Sequence, residues 1–204
     1  MKKNFLLLLF SIFLFSGCFS FSSLNPFSDS DGKKETQNKT QIVVPDEAPQ
    51  WLKDEKEENA IFAIGITKDT NIDNLKFFKQ RALINAGNNL SRKIFIKTVL
   101  IYQNYLKKAS ENEVFENDIR DNAKEVALQS LKLSKIKGFW ENSSKKLFVR
   151  IKVDTKIVAE QIQQNSKKLF KVDQKLYENI LSNRAKEDLI KELESDDKSF
   201  LNIF

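Results

Sequence analysis

The apolar residues of this chain change their spacing several times, and each change predicts a different element. Residues 60–67 form a short, nearly continuous apolar run, which predicts a buried strand. The next apolar residues recur at helical spacing and predict one long amphipathic helix, with Thr70 and Asp73 at its start. Its apolar stripe comprises Leu75, Phe78, Ala82, Ala86, Leu90, Ile94 and Ile101. Because Ala82, Ala86 and Gly87 are small, this helix is expected to approach a sheet closely.

A second helix is predicted before the sheet continues. Ser110 and Glu113 have the spacing of a capping box, in which the hydroxyl and the carboxylate each accept a hydrogen bond from a backbone N–H at the helix start. Apolar residues then follow at helical spacing, at Val114, Ile119, Ala123, Val126, Ala127 and Leu131. We expect this helix to pair with the long one.

From residue 135 the spacing of the apolar residues changes from helical to alternating, which is typical of strands. In the first strand, Ile136, Gly138 and Trp140 alternate with Lys135, Lys137 and Phe139. In the second strand, Leu147, Val149, Ile151 and Val153 alternate with Phe148, Arg150 and Lys152. Polar residues at 142–145 predict a turn between them. The pattern therefore predicts a β-hairpin with one buried face and one largely basic face.

Helical spacing returns after the hairpin. Asp154 can cap a helix that carries Ile157, Val158 and Ile162. One further helix is predicted from the spacing of Leu176, Ile180, Leu189 and Leu193. The predicted fold class is α+β, a small three-stranded antiparallel sheet packed by a long amphipathic helix pair, in the order β-α-α-β-β-α with an extra C-terminal helix. Residues 49–169 would form the domain, and residues 170–204 a C-terminal helical extension.

The amino-terminal segment has the parts of a bacterial lipoprotein signal. A lysine pair precedes the apolar run 5–15, and Gly17 then precedes Cys18, the only cysteine in the chain. This arrangement predicts a signal peptide over residues 1–17, cleavage between Gly17 and Cys18, an S-diacylglycerol group on the Cys18 thiol and an N-palmitoyl group on the new amino terminus. Phe15 stands where the usual pattern has leucine. The alternative is an uncleaved anchor, but the apolar run is shorter than the ~20 residues that a membrane-spanning helix needs.

Residues 18–48 are predicted to be a lipidated N-terminus followed by a flexible tether. All three prolines of the chain precede residue 50, and Ser, Asp, Lys, Asn and Thr dominate from residue 28 to residue 41. Such a segment buries too little apolar surface to offset the entropy that ordering costs.

Composition excludes several classes of function. The chain has no histidine and one cysteine, so it lacks the commonest general base and cannot form a structural disulfide within itself or a metal site built on Cys or His. Its formal net charge is +6, with both signs interleaved along the chain, which is typical of a solvated surface and not of a nucleic-acid interface. We therefore expect no nucleic-acid partner, cofactor, metal or small-molecule substrate.

Four short motifs, in their order and spacing, resemble the LPP-twenty family of membrane-associated lipoproteins. They are EAPQWL at 47–52, AIGI at 63–66, QRALINAGNNL at 80–90 and KKLFVRIKVD at 145–154. The resemblance covers about residues 47–165 together with the signal around Cys18. Gly87 departs from it, because arginine or alanine is more usual at that place in the family.

The resemblance implies an outer-membrane-associated lipoprotein of a flagellated, host-colonising bacterium. Some family members look like surface antigens or adhesion factors, and related lipoproteins form discs and rings around flagellar motors. The resemblance brings no catalytic residue, and only Cys18 is carried over as a functional position. Phe19 follows Cys18, where an aspartate would retain a lipoprotein in the inner membrane of enteric bacteria. This difference favours the outer membrane.

Four other features are candidate sites, each with an ordinary alternative. Trp51 and Trp140 are compatible with a ligand platform or with simple packing. A basic hairpin face is compatible with binding of anionic lipid or lipopolysaccharide, or with a solvated edge. It comprises Lys135, Lys137, Lys145, Lys146, Arg150 and Lys152. An acidic cluster could bind a hard cation, but it lacks the glycine turn of a calcium loop, and a solvated helix start is the simpler interpretation. It comprises Glu111, Glu113, Glu116, Asp118 and Asp121.

The fourth is the apolar tail at 200–204, which would pack on its own domain, dock on a neighbour or fray. Taken together, the sequence predicts a non-enzymatic, lipid-anchored outer-membrane lipoprotein on the periplasmic face or the cell surface. Its partners would be membrane lipid, through acylated Cys18, and protein, including further copies of itself. Two narrower interpretations are a flagellar disc or ring subunit needed for motility and a surface adhesin. An enzyme is the weakest alternative, because no motif indicates a catalytic pair.

Overall fold

The computed structural model describes residues 42–67, 74–109, 116–170 and 174–195. Its elements are α1 (Gln50–Lys53), β1 (Ala60–Thr67), α2 (Leu75–Ala109), α3 (Glu116–Lys132), β2 (Lys135–Glu141), β3 (Leu147–Asp154), α4 (Thr155–Leu169), α5 (Gln174–Leu181) and α6 (Asn183–Glu194). The strands form one antiparallel three-stranded sheet in the order β1-β3-β2. The predicted α+β class and the predicted order of the main elements are confirmed. The predicted helix start at Thr70 and Asp73, the capping box at Ser110 and Glu113 and the tail at 200–204 lie outside the described residues.

The main hydrophobic core lies between the sheet and the helices, on what we call the inner face of the sheet. Alternate residues of β1 and β3, among them Ile61, Val149 and Ile151, are buried there. The helix α2 packs on β1, α3 packs on α2 and α4, and α6 packs on α4. The inner face therefore has the alternation that the sequence predicts for β3.

The close approach of α2 to the sheet is confirmed at Gly65. A Cβ atom at this position would lie 2.1 Å from the carbonyl oxygen of Ala82 and 2.4 Å from the backbone nitrogen of Ala86. Only a residue without a side chain fits between the two backbones here. The small residues on both elements thus determine how near the helix axis comes to β1.

Side chains of α2 also bind the outer edge of β1. Asn85, Asn89 and Lys93 donate hydrogen bonds to three backbone carbonyls of this strand at 2.8, 2.8 and 3.0 Å. The accepting residues are Ile66, Ile64 and Phe62. The donors ascend the helix while the acceptors descend the strand, so α2 runs antiparallel to β1, and the first turns of α2 extend past Thr67.

The sequence prediction of strict alternation in β2 is wrong. The register shifts between Ile136 and Gly138, so that Ile136 lies opposite Ile151 whereas Gly138 lies opposite Arg150. A bulge of this kind places residues that the pattern assigned to one face on different faces. Ile136 therefore shares the inner face with Ile151 and Phe139, whereas Gly138 and Trp140 lie on the outer face. Phe139 packs against the main core, and Ile136 is 49% exposed.

The predicted turn and the predicted helix cap next to β3 are confirmed. The side-chain oxygen of Asn142 accepts a hydrogen bond from the backbone nitrogen of Lys146 at 2.8 Å, and Lys145 has a φ of 58°. At the other end of the strand, the side chain of Asp154 accepts from the backbone nitrogen of Lys156. Both ends of β3 are therefore terminated by local hydrogen bonds that the sequence indicates.

The single last helix that the sequence predicts is two helices in the structure. Ser182 has extended backbone and caps α6, because its side chain accepts a hydrogen bond from the backbone nitrogen of Ala185. Ile180, Leu189 and Leu193 are nevertheless buried in the main core. Residues 174–195 thus belong to the same packed domain as the sheet and are not a separate appendage.

The other face of the sheet, the outer face, is covered by residues 42–57, which we call the strap. The strap contributes Ala48 and Leu52 to a second, smaller core centred on Phe148. Partly buried side chains complete it: Val44, Trp51, Ile64, Ile66 and Trp140. Val44 and Ala48 fall within the predicted tether, so contact with the domain begins before residue 49. The predicted largely basic face of β3 is therefore covered by the strap, and both faces of this strand are buried.

Candidate functional site

The predicted cleavage and lipidation site, Gly17 and Cys18, lies outside the described residues, so lipidation stays a prediction. The structure instead shows where the chain that follows this site joins the domain. It does so through the strap, which begins beside the hairpin turn, where the Ser143 hydroxyl lies 3.5 Å from a Glu47 carboxylate oxygen. The contacts between strap and sheet therefore form the candidate site for coupling an anchor to the domain.

Arg150, in the central strand β3, is the main polar contact between sheet and strap. It is the largest of the fully buried side chains, at 1% exposure. Its Nη1 donates to the carbonyl oxygens of Trp51 at 2.6 Å and Asp54 at 2.8 Å, and its Nη2 lies 3.4 Å from Oε2 of Glu57. The guanidinium carbon lies 3.6 Å from the centre of the Phe62 ring, a cation–π distance. One side chain thus binds three residues of the strap.

Glu57 is the acidic counterpart of Arg150, at the end of the strap. Its Oε1 accepts hydrogen bonds from Lys152 and, at 3.1 Å, from Lys137. Its Oε2 and the Nε of Arg150 are buried without a hydrogen-bond partner in the described part of the chain. Burying charges with unpaired polar atoms costs free energy, so this cluster specifies where the strap lies more than it adds net stability.

Burial and hydrogen bonding act in opposite directions on these groups. Burial disfavours the charged form of Glu57, but the hydrogen bonds from Lys152 and Lys137 outweigh it, so the pKa of Glu57 lies below its ordinary value. Burial lowers the pKa of Arg150, while the carboxylates of Glu57 and Asp54 oppose that change. An arginine side chain stays protonated in proteins, so the pair is ionised at neutral pH.

The acid limb of the stability curve is expected to depend on Glu57. The pKa of Glu57 in the folded state is lower than its ordinary value of 4.5, so the ionised carboxylate stabilises the folded state. This contribution is fully present at pH values above 4.5 and is lost as the pH falls through the folded-state pKa. Glu57→Gln should therefore shrink the difference in unfolding free energy between neutral pH and about pH 3. Urea unfolding at both pH values measures this, with Glu58→Gln at the neighbouring exposed carboxylate as the control. An unchanged pH dependence would contradict the expectation.

The two tryptophans lie in the second core and not on an open platform. The Trp51 ring covers Gly138, where an added Cβ atom would lie 3.1 Å from the ring. The Trp140 ring packs against Phe148 with 5.3 Å between ring centres. Of the two interpretations of these residues, the structure supports packing.

The predicted basic hairpin face is not a continuous cationic surface. Arg150 is buried, Lys137 and Lys152 bind Glu57, and Lys145 pairs with Glu141 at 3.1 Å. Lys135 and Lys146 are exposed, at opposite ends of the hairpin. The prediction of one basic face is therefore wrong, because the strap supplies carboxylates and carbonyls from outside the hairpin.

Only three of the five residues of the predicted acidic cluster lie within the described ranges. Glu111 and Glu113 lie outside them, while Glu116, Asp118 and Asp121 are exposed at the start of α3. Asp121 pairs with Lys124 at 3.3 Å. Within the described ranges, no group of three or more acidic, histidine or cysteine residues is close enough to hold a metal ion. The exposed carboxylates here have the positions of a solvated helix start, which the helix dipole favours.

A cleft of about 230 Å³ opens at the end of the sheet away from the hairpin turn. Its lining includes Glu58, Lys135, Asp154 and Ile157. Both carboxylates are exposed, and Asp154 already caps α4.

Two buried polar groups in the described part of the chain were not predicted from the sequence. One is the Arg150–Glu57 pair, for which the only signal was a charged residue at the centre of an apolar strand. The other joins three helices: the Tyr102 hydroxyl lies 2.8 Å from Asn122 Oδ1, and Asn122 Nδ2 donates to the Asn165 carbonyl at 2.9 Å. Burial, and secondarily the charge of Glu125, raise the pKa of Tyr102 far above its ordinary value. This hydroxyl therefore acts as a hydrogen-bonding group and not as an acid.

None of the described helices has both the length and the apolar character needed to cross a membrane.

No family model, curated protein or solved structure matches the chain, so the resemblance to the LPP-twenty family stays a prediction.

Proposed function

We propose that this protein is a lipid-anchored lipoprotein of the outer membrane whose domain is a non-enzymatic module for protein interaction or envelope structure. The observation that carries the proposal is the arrangement of the first residues: a lysine pair, a short apolar run, and Gly17 directly before Cys18. Two or more acyl chains hold a protein stably on a bilayer, because one chain alone gives marginal binding.

The contacts of the strap support this proposal from the domain side. An anchor acts on a domain only through the chain that joins them, and this chain meets the sheet along residues 42–57. Apolar packing around Phe148 and the hydrogen bonds of Arg150 fix that segment on the outer face. The domain would thus be held in a thin layer at the membrane, where the effective concentration for partners in the same layer is high.

Exchange of the cysteine tests the anchor directly. Cys18→Ser should abolish incorporation of labelled palmitate and move the protein from the membrane fraction to the soluble fraction or leave it as an uncleaved precursor. A double variant, Cys18→Ser with Ser20→Cys, retains one cysteine two residues further on and should behave in the same way. Full membrane retention and unchanged labelling in either variant would overturn the proposal.

The motif resemblance favours two narrower roles, a flagellar disc or ring subunit and a surface adhesin. A deletion strain complemented with the wild-type gene or with Cys18→Ser separates them. Loss of swimming that only the wild-type copy restores would support the motor role. Normal swimming together with protease-sensitive protein on intact cells would support the adhesin role.

A further inference from the structure

One end of the domain, which we call the entry end, brings together the start of the strap, the hairpin turn and the first turn of α2. Thr67 pairs with Leu147 next to the turn, and Glu47 in the strap approaches Ser143 within it. Because α2 runs antiparallel to β1 and its first turns extend past Thr67, Leu75 lies at this end as well. The chain from Cys18 reaches the domain here.

Three exposed apolar side chains belong to elements that reach the entry end, one in the strap and two in the first turn of α2. Val43 is 79% exposed, Phe77 is 55% exposed and Leu75 is 38% exposed. The Phe77 ring contacts the ring of its neighbour Phe78 edge-on, with 5.6 Å between ring centres. Single exposed apolar residues are normal on protein surfaces, but several around one chain entry point indicate a surface that contacts something apolar.

The charge around these apolar residues is positive on the α2 side. The first turn of α2 has no acidic residue. Lys76, Lys79 and Arg81 are exposed within its first two turns. Lys146 is exposed in the hairpin turn. Among the residues that the structure describes at this end, the acidic ones are Asp46, Glu47 and Glu141; they lie on the strap and in β2, where Glu141 pairs with Lys145. Aromatic and aliphatic side chains flanked by lysines are typical of helices that bind at a membrane surface.

We propose that the entry end is a membrane-binding surface, with Phe77, Leu75 and Val43 in the headgroup region of an anionic bilayer and Lys76 and Lys146 against its phosphates. This inference rests on the proposed lipid anchor. The tether predicted for residues 19–41, treated as a flexible chain of that length, would have a root-mean-square span of about 26 Å, so acylated Cys18 would hold the entry end within reach of the bilayer. The domain would then have one fixed orientation, with the cleft end directed away from the lipid.

Site-specific fluorescence on the full-length, acylated protein tests this orientation. Because acylation blocks Cys18, a cysteine introduced by Phe77→Cys would be the one reactive thiol of the chain. It would be labelled with an environment-sensitive dye in vesicles of equal parts phosphatidylglycerol and phosphatidylethanolamine. Leu133→Cys is the matched control, since Leu133 is 49% exposed and lines the cleft at the opposite end.

The expected result is blue-shifted emission and quenching by spin-labelled lipid at position 77, with water-like emission at position 133. The double variant Lys76→Glu with Lys146→Glu should reduce the ratio of membrane-docked to undocked domain by at least about fivefold per lysine. Each lysine near an anionic surface shifts the partition of a protein between water and membrane by about that factor. Lys135→Glu with Lys156→Glu, the same charge change at the cleft end, should leave it unaltered.

Equal, water-like spectra at the two positions would overturn the inference, and so would quenching at position 133 alone. Dye incorporation into the wild-type chain would show that Cys18 is not acylated, which is a failure of the proposed function and is distinguishable from a failure of docking.

Discussion

Replacement of Arg150 by methionine is expected to lower the free energy of unfolding by about 3–5 kcal/mol, because removing one partner of a buried ion pair leaves the other without its counter-charge. Arg150 is 1% exposed and binds two strap carbonyls as well as Glu57. Methionine has a similar length but no hydrogen-bond donor, so those carbonyls would lose their partner where the strap covers them. Urea unfolding measures the loss when it is followed by the fluorescence of Trp51, which lies in the strap, and of Trp140, which packs in the same small core.

Lys152→Met is the matched control for this change. Lys152 lies on the same strand and also binds Glu57, but its side chain is 34% exposed, so its loss should cost less than about 1 kcal/mol. Equal losses for the two variants would contradict the assignment of Arg150 as the main polar contact. The double variant Arg150→Met with Glu57→Met should recover part of the stability, since an apolar pair often replaces a buried ion pair without cost.

Gly65→Ala is expected to destabilise the domain by about 3 kcal/mol, the upper part of the usual range for overpacking. The added methyl group would meet backbone atoms of Ala82 and Ala86 at 2.1 and 2.4 Å, and backbone inside a long helix cannot rotate away as a side chain can. The helix α2 would have to move off β1, which also lengthens the hydrogen bonds that Asn85 and Asn89 donate to the strand edge.

Gly138→Ala provides the comparison for this prediction. Its added methyl group would lie 3.1 Å from the Trp51 ring. This ring is a side chain at the edge of the domain and can shift by a few tenths of an ångström. Its stability should remain within about 1 kcal/mol of the wild type, because alanine also regains the entropy that glycine loses on folding. Thermal and urea unfolding of both variants would decide the matter, and a larger loss at Gly138 than at Gly65 would refute the packing argument.

The sequence predicted the elements of this fold well where one periodic pattern covered a whole element. The spacing of apolar residues along α2 and β3 depends only on local geometry, so the main core followed from it. The small residues at 82 and 86 indicated a close helix–sheet contact, and the structure shows it at Gly65. The cap at Asp154 and the turn at 142–145 were predicted because each depends on neighbours within a few residues.

The contacts that the sequence did not reveal depend on distant residues or on a single irregular position. Arg150 is buried because carbonyls and a carboxylate from residues 51–57, almost a hundred positions earlier, cover it. The bulge at Ile136 changes the face of one side chain without altering composition, so an alternating pattern cannot show it. Ser182 divides the last helix through its own backbone conformation, although the apolar spacing continues across it.

The side chains that α2 extends to the edge of β1 also limit how copies of this protein can associate. An open strand edge is a template on which strands of other chains add, and this is a common start of domain swapping and fibril growth. Asn85, Asn89 and Lys93 already occupy the carbonyls that an incoming strand would need. The opposite edge, β2, carries a bulge and exposed lysines, which also oppose strand addition. Ordered assemblies of this protein should therefore form through side-chain surfaces, and crowding of many copies should not convert them into a continuous sheet.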